Sequence, residues 1–476
     1  MMLSSKYCLL AAFLISLIFF TYKLDKVPEG LTLDEAAFGY NAVLLSQTYH
    51  DENGRFMPAF ILSINGKDWR QPVPQYIMAA FFRIFGPSIY NLKLTSAITA
   101  SISSVLILVL AHYLLGKFGA IISYIIFLFS PIVLIHSHLG LDNLTPLPFI
   151  LIWLLSFWHF TKNKNLKLLV IAAISLGICF YSYKAMRSFI PVFSFLSLVY
   201  LFQNKATKKA FATFIGFLAP FFIVIPYLEY KYAGAVLGGT TAKTGSIYNF
   251  FNSFLSSFDI SFLFIKGDEI LHHSTGTHGM FLLATLPLFL VGLYQAIKKG
   301  NFWHLILSGF FLGPILFGFP GSYHRASRLT GLIPFFVLIS SLGAVYLYKK
   351  KLLFVVFILV FLINSINFLN YYWQFFASDT KNIYYSWELE RAYKVLKAES
   401  LNKNLVAYES PGFISTDEEK IINNFLRSIY FIKPPLVWEG DSESFPENAI
   451  VMTRASDLDL NKLDTGLSNV FFYTQW

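Results

Sequence analysis

Two adjacent carboxylates, Asp34 and Glu35, follow the first apolar stretch of the chain, in Leu31-Thr-Leu-Asp-Glu-Ala-Ala-Phe-Gly-Tyr-Asn41. Paired acids at a membrane edge are costly unless they face water or a cation. An ionised Asp there could take a proton from an acceptor hydroxyl. The same pair could instead begin a helix, where acids are favoured. Tyr40 is a secondary candidate in the same segment. A second group is cationic. Lys184 and Arg187, in Tyr181-Ser-Tyr-Lys-Ala-Met-Arg187, stand three apart and could share one helical face. Such a pair suits a phosphate or an anionic headgroup, with ordinary snorkelling as the plain alternative. A third group, Asp268, Glu269, His272, His273 and His278, mixes acids and imidazoles within eleven residues. It could ligate a metal, but the spacing matches no zinc signature. A hydrogen-bonded loop or a phosphate contact is the other reading. The fourth group is His324, Arg325 and Arg328, which with Lys184 and Arg187 could make a basic pocket.

These residues must be held by membrane elements. Of the 476 residues, 55% are hydrophobic, 13% are charged and 52 are Phe, and mean hydropathy is +0.56. Apolar runs long enough to cross a ~30 Å hydrocarbon core recur along the chain. Soluble, collagen-like and disordered classes are excluded. Eleven spans are expected, near residues 7–24, 89–115, 119–137, 143–161, 166–183, 187–203, 209–229, 279–297, 302–319, 329–348 and 352–370. The first is read as a retained span, since no small-x-small cleavage site follows it. Cys8 and Cys179 both lie in apolar runs, so no disulfide or metal framework is suggested.

Charge sets the orientation. Lys-rich connectors at 162–167, 205–209, 298–299 and 349–351 all fall on one side, which the positive-inside rule makes cytoplasmic. The N-terminus is then cytoplasmic, and every acid before residue 371 lies on the exoplasmic side. The net charge of +10 therefore reports membrane orientation and not nucleic acid. Residues 371–476 differ, with 15 acids against 10 bases, and odd span parity puts them outside.

The loops carry further expectations. Residues 25–88 form a first exoplasmic loop, in which Asp34–Thr48 and Pro74–Phe85 read as amphipathic surface helices. Residues 230–278 form a second. The tail, 371–476, reads as a small α/β domain. Its β-type runs are Leu405–Tyr408, Ile429–Ile432, Leu436–Trp438, Ile450–Thr453 and Val470–Tyr473, and its helix is Asp417–Arg427. Residues 1–370 would then be the membrane domain that carries the chemistry.

The ordered set of segments resembles the GT-C superfamily of integral membrane glycosyltransferases. It is most similar to the family-39 group, which holds protein O-mannosyltransferases and the lipid A aminoarabinose transferase. The matching features are Asp34-Glu35, Gln71-Pro-Val-Pro-Gln-Tyr76, Phe85-Gly86, Tyr181-Ser-Tyr with Arg187 and Pro191, Leu263-Phe264 with Gly267-Asp268 and His273, and Arg328 with Pro334.

The resemblance implies a multi-pass plasma-membrane enzyme that moves a sugar, hexose or pentose, from a polyprenyl-phosphate donor. The acceptor would be a hydroxyl of a lipid, glycan or protein on the exoplasmic face. Asp34 would be the base, supported by Glu35, and inversion would follow from a single displacement. Arg187 and Arg328 would bind the carrier phosphate, with Lys184, His273 and His324 as weaker candidates, and Tyr40, Asp268, His272 and Arg325 nearby. A divalent metal is a possible cofactor, and nucleic acid is not an expected partner. His138 and His272 stand where relatives often carry Arg, and Gln71–Tyr76 lacks the Lys of the aminoarabinose transferase motif. Two other readings share the many spans: an O-antigen ligase or polymerase, and a lipid or glycan transporter. Acids in long loops rather than mid-span weigh against transport.

Overall fold

The computed structural model describes residues 6–238, 246–321, 323–380, 387–410, 416–431, 435–438, 447–454, 461–465, 467 and 470–475. Its elements in chain order are α1 (Lys6–Thr21), α2 (Leu33–Thr48), β1 (Ile61–Ser63), β2 (Asp68–Arg70), α3 (Pro72–Phe85), α4 (Ile89–Leu128), α5 (Pro131–Ser137), α6 (Pro146–Asn163), α7 (Leu166–Phe180), α8 (Met186–Gln203), α9 (Lys208–Ile223) and α10 (Ile225–Lys231). There follow α11 (Ile247–Ser256), α12 (Ile260–Phe264), α13 (Leu286–Lys299), α14 (Phe302–Leu312), α15 (Ile333–Leu347), α16 (Lys351–Tyr371), α17 (Ala377–Thr380), α18 (Trp387–Asn402), β3 (Val406–Glu409), α19 (Asp417–Tyr430), β4 (Leu436–Val437), β5 (Ala449–Thr453), β6 (Asn461–Leu463) and β7 (Phe471–Gln475).

Apolar helices fall where the sequence places spans. Among the described residues five are long and apolar enough to cross a membrane: Ile89–Leu128, Met186–Gln203, Lys208–Lys231, Ala326–Leu347 and Lys351–Thr380. Lys6–Thr21, Leu166–Phe180 and Phe302–Gly318 are shorter apolar helices. The expected turn near Gly116 is a break inside α4. Gly116 has φ 76° and ψ −173°, a conformation that glycine adopts at no steric cost.

The chain forms two compact units. The first comprises Met1–Leu24, Gln71–Pro74 and Lys93–Phe376; the second comprises Asp25–Arg70, Gln75–Leu92 and Ala377–Trp476. In the first, α13 and α15 cross at two glycines. A Cβ on Gly292 would lie 1.9 Å from the Ile339 carbonyl oxygen, and one on Gly343 would lie 1.9 Å from that of Leu288. Helices in lipid gain from such close approach, because lipid tails are as apolar as their side chains. Phe281 and Phe336 stack beside this crossing at 3.6 Å.

The second unit joins the first loop to the tail. The tail sheet has the order β4-β3-β5-β7-β6. β3 runs parallel to β4 and β5, whereas β7 is antiparallel to both β5 and β6. Buried Glu409, at the end of β3, accepts from Tyr393 Oη of α18 at 2.7 Å and from Arg427 of α19. These bonds tie both tail helices to the sheet. α19 packs on α2 in turn.

Three local expectations change. The segment Asp34–Thr48 is helical but is no surface helix: Ala36, Ala37, Phe38, Asn41, Ala42, Val43 and Leu45 are all buried. Of the expected strand Ile429–Ile432, Ile429 and Tyr430 are the end of α19 and Phe431 is its C-cap, while Ile432 lies outside the described residues. Ile421, Ile422, Phe425 and Leu426 are buried on α19, and Ile429 extends that stripe at helical spacing. The hairpin β1–β2, with Ile61 opposite Arg70, was not expected. Asn65-Gly66 at its turn is the sequence signal that could have found it.

Candidate active site

Asp34 and Glu35 stand in the first turn of α2 with different surroundings. Glu35 is fully buried. Its Oε2 accepts from the Thr32 amide at 2.9 Å and the Thr32 hydroxyl at 3.0 Å, while its own amide donates to Thr32 Oγ1 at 3.2 Å. This is a capping box, and it gives the Glu35 carboxylate a structural task. The Asp34 side chain is 50% exposed, and its Oδ1 accepts from Arg70 Nη2 at 2.7 Å. Arg70 is itself buried. Its guanidinium also lies 3.3 Å from Asp68 Oδ2 and 4.6 Å from the centre of the Phe38 ring. The Phe38 carbonyl accepts from Gln75 Nε2 of α3 at 2.9 Å, so α3 braces the same turn. Tyr40 is half-buried further along α2. Burial, and then the charge of Glu52, push its phenol pKa up.

The cationic candidates all lie in the first unit. Arg187, in the first turn of α8, donates through Nη2 to Gln71 Oε1 at 2.9 Å and to the Ala235 carbonyl at 2.5 Å. Gln71 is held close because the next residues run beside the α7–α8 turn, with the Val73 amide donating to the Tyr181 carbonyl at 3.4 Å. Ala235 is presented by a loop wrapped on Glu229, whose carboxylate accepts from the amides of Gly234, Val236 and Leu237. Lys184 is half-buried in the turn before α8. Directly before it, Tyr183 hydrogen-bonds the side chains of Asn143 and Ser327.

Asp268 organises the second loop. Its oxygens accept from the Ile270 amide at 3.0 Å and the Ala326 amide at 2.7 Å, and Arg325 Nη1 lies 3.8 Å away. Burial is the larger influence and raises its pKa despite those partners. The bond to Ala326 fixes the turn that carries His324, Arg325 and Arg328. A shallow depression lies there, lined by Ser257, Phe317, His324, Arg325, Arg328 and Leu329. His324 stacks on Phe262, and its Nε2 lies 4.0 Å from Asp259. Arg328 is exposed.

His273 Nδ1 meets His136 Nε2 at 3.0 Å. Burial, and then the neighbouring cations and imidazoles, hold His273 well below the ordinary imidazole pKa. It is therefore neutral at pH 7. His272 packs edge-on against it at 4.0 Å.

The His/Asp cluster does not fit a metal. Both Asp268 oxygens are engaged by backbone amides, and the facing nitrogens of His273 and His136 are spent on each other. Among the described residues no three His, Cys, Asp or Glu side chains gather as ligands. The sequence reading missed Arg70, gave Tyr183 no role beyond its place in Tyr181-Ser-Tyr, and did not assign Gln71 to Arg187.

Residues 70–230, 161 of the 476, match the family described as dolichyl-phosphate-mannose-protein mannosyltransferase. The crystal structure of ArnT from Cupriavidus metallidurans bound to undecaprenyl phosphate matches with a TM-score of 0.59, over 98% of this chain and 98% of that one, at 10% identity. The fold is that of the GT-C membrane glycosyltransferases. ArnT in the apo state gives the same TM-score of 0.59 at 9% identity, over 98% of this chain and 97% of that one. The archaeal oligosaccharyltransferase AglB from Archaeoglobus fulgidus, in complex with an inhibitory peptide and a dolichol-phosphate, has a TM-score of 0.49 at 12% identity, over 93% of this chain and 62% of that one. No curated protein matches the sequence.

Proposed function

We propose that this GT-C chain transfers a sugar from a polyprenyl-phosphate donor to an acceptor hydroxyl on the exoplasmic face of the plasma membrane. Asp34 acts as the base and the anomeric centre inverts. The observation that carries this reading is the contrast between the two adjacent acids. Glu35 is buried in a cap, while Asp34 keeps half its side chain at the surface, with one oxygen held by a buried guanidinium. ArnT bound to undecaprenyl phosphate, of the same fold over nearly the whole chain, supports the donor class.

In the reaction the acceptor oxygen forms a bond to the anomeric carbon as the bond from that carbon to the phosphate oxygen breaks. The acceptor proton passes to the Asp34 carboxylate. The electron pair of the broken bond stays on the phosphate, which departs as polyprenyl phosphate. A single displacement inverts the centre, unlike a double displacement through a carboxylate. Arg187 and Arg328 are assigned to the carrier phosphate, with Lys184, His273 and His324 supporting. Fixed cations in a partly dry site stabilise charge that grows as the leaving group departs. His273, being neutral, would serve as a hydrogen-bond donor and not as a cation. No step is assigned to a metal.

The test is made on protein purified with its own lipid. Mass spectrometry of the extract should show a polyprenyl-phosphate sugar. Membrane extract supplied as acceptor should then drive its turnover to polyprenyl phosphate. Asp34→Asn should slow that turnover by about 10²–10⁴-fold, the usual range for a general base. Wild-type turnover in Asp34→Asn would remove Asp34 from the chemistry.

A further inference from the structure

We infer that Arg70 is a positioning residue for Asp34, fixing the orientation of its carboxylate and keeping it ionised; this rests on the reading of Asp34 as the base. The guanidinium is immobilised on three sides. Nη2 meets Asp34 Oδ1 at 2.7 Å, Nη1 lies 3.3 Å from Asp68 Oδ2, and the group sits 4.6 Å from the Phe38 ring centre. Its backbone is pinned as well, because Arg70 pairs with Ile61 in the hairpin and Asn53 Nδ2 donates to the Leu62 carbonyl at 2.8 Å.

The exposures are uneven in an informative way. The Arg70 side chain is 5% exposed, while its partners Asp34 and Asp68 are 50% and 31% exposed. A cation that only neutralised a buried acid would share that acid's burial. Here a buried guanidinium lies under two carboxylates that both reach solvent. A planar, permanently charged fork suits this task, since it restricts a carboxylate in direction as well as in charge. A nearby cation also favours the ionised form of an acid, against the opposite pull of partial burial.

Other charged groups near α2 are committed elsewhere. Glu35 closes the cap, and Asn41 of α2 binds Glu52. On α3, Arg83 donates to the Ser46 carbonyl. On α19, Glu419 pairs with Arg454 and Arg427 with Glu409, and Lys420 is exposed. Arg70 binds Asp34 directly and Asp68 shares that guanidinium, so removing either should retune Asp34.

The experiment is a pH–rate profile of donor-lipid turnover for the full chain and three variants. Arg70→Gln should lower kcat about tenfold or more and move the acid limb up by roughly one pH unit, the low end of the effect of a close cation. Asp68→Asn should move the limb the other way, because it deletes a competing carboxylate and leaves the charge of Arg70 to Asp34. Asp34→Asn should stay slowed by about 10²–10⁴-fold at every pH. An unmoved limb in Arg70→Gln, or an upward shift in Asp68→Asn, overturns the positioning role. So does a rise in donor KM at unchanged kcat in Arg70→Gln, which would mean direct donor contact. Wild-type turnover in Asp34→Asn would instead sink the base assignment itself. If Arg70→Gln fails to fold, the sign of the shift in Asp68→Asn decides.

Discussion

Asp34 and Glu35 differ by one position, yet a helix turns about 100° per residue and so aims them apart. Glu35 swings back over the Thr32 amide, and Asp34 swings toward Arg70. Part of this division was legible. Thr32-Leu-Asp-Glu35 is a capping-box signature, and it singles out the second acid as structural. The partner of Asp34 was not legible, because it lies 36 residues away and arrives through a hairpin of three-residue strands. The division predicts opposite phenotypes for neighbouring variants. Glu35→Ala leaves the buried Thr32 amide without its acceptor and should cost on the order of 1–2 kcal/mol of stability. Its melting temperature in detergent should fall, while turnover measured well below that temperature stays within a few fold of wild type. Asp34→Asn should show the reverse, losing turnover with a smaller change in melting. A Glu35→Ala protein that melts normally but does not turn over would return Glu35 to the chemistry.

The helix that carries Asp34 is itself held by the tail. α19 lies on α2 where Gly39 leaves room, and a Cβ at that position would sit 2.5 Å from Phe425 Cζ. Phe425 is fully buried and has little freedom to move aside. Element types were legible here, since the apolar periodicity of α19 and of α2 was visible. Their pairing was not, because an apolar stripe shows that a helix needs a partner without naming it. Gly39→Ala tests the pairing. Alanine gains about 1 kcal/mol of helix propensity over glycine. Overpacking a filled contact costs typically 1–3 kcal/mol, so the variant should be destabilised on balance. Phe425→Leu alone should also destabilise, by opening a small void. The double variant should be better than the sum of the two by more than 0.5 kcal/mol, the sign of a direct contact. Strict additivity in urea or thermal unfolding would mean that the ring and Gly39 do not meet.

At the scale of the molecule, the second unit constrains how the chain threads the membrane. Its parts come from the first loop and from the tail, and α2 packs on α19, so both must lie on one side of the bilayer. An even number of crossings must therefore separate them. The eleven expected spans place ten between the first loop and the tail, which satisfies this condition although the span count came from hydropathy alone. Parity does not say which side is outside; the lysines do. Lys164, Lys205, Lys298 and Lys350 all sit at or next to helix ends, and bases are retained on the cytoplasmic side. Single cysteines placed in a Cys8→Ser, Cys179→Ser background check both statements at once. Cysteine at Asn65, in the β1–β2 turn, and at Asn404, after α18, should react with a membrane-impermeant maleimide in intact cells. Cysteine at Lys164 or Lys350 should react only after the membrane is opened. Labelling of Asn65 but not Asn404 would break the parity argument and the α2–α19 contact together. Labelling of the lysine sites alone would keep the parity and invert the orientation, moving Asp34 to the cytoplasmic face and away from an exoplasmic acceptor.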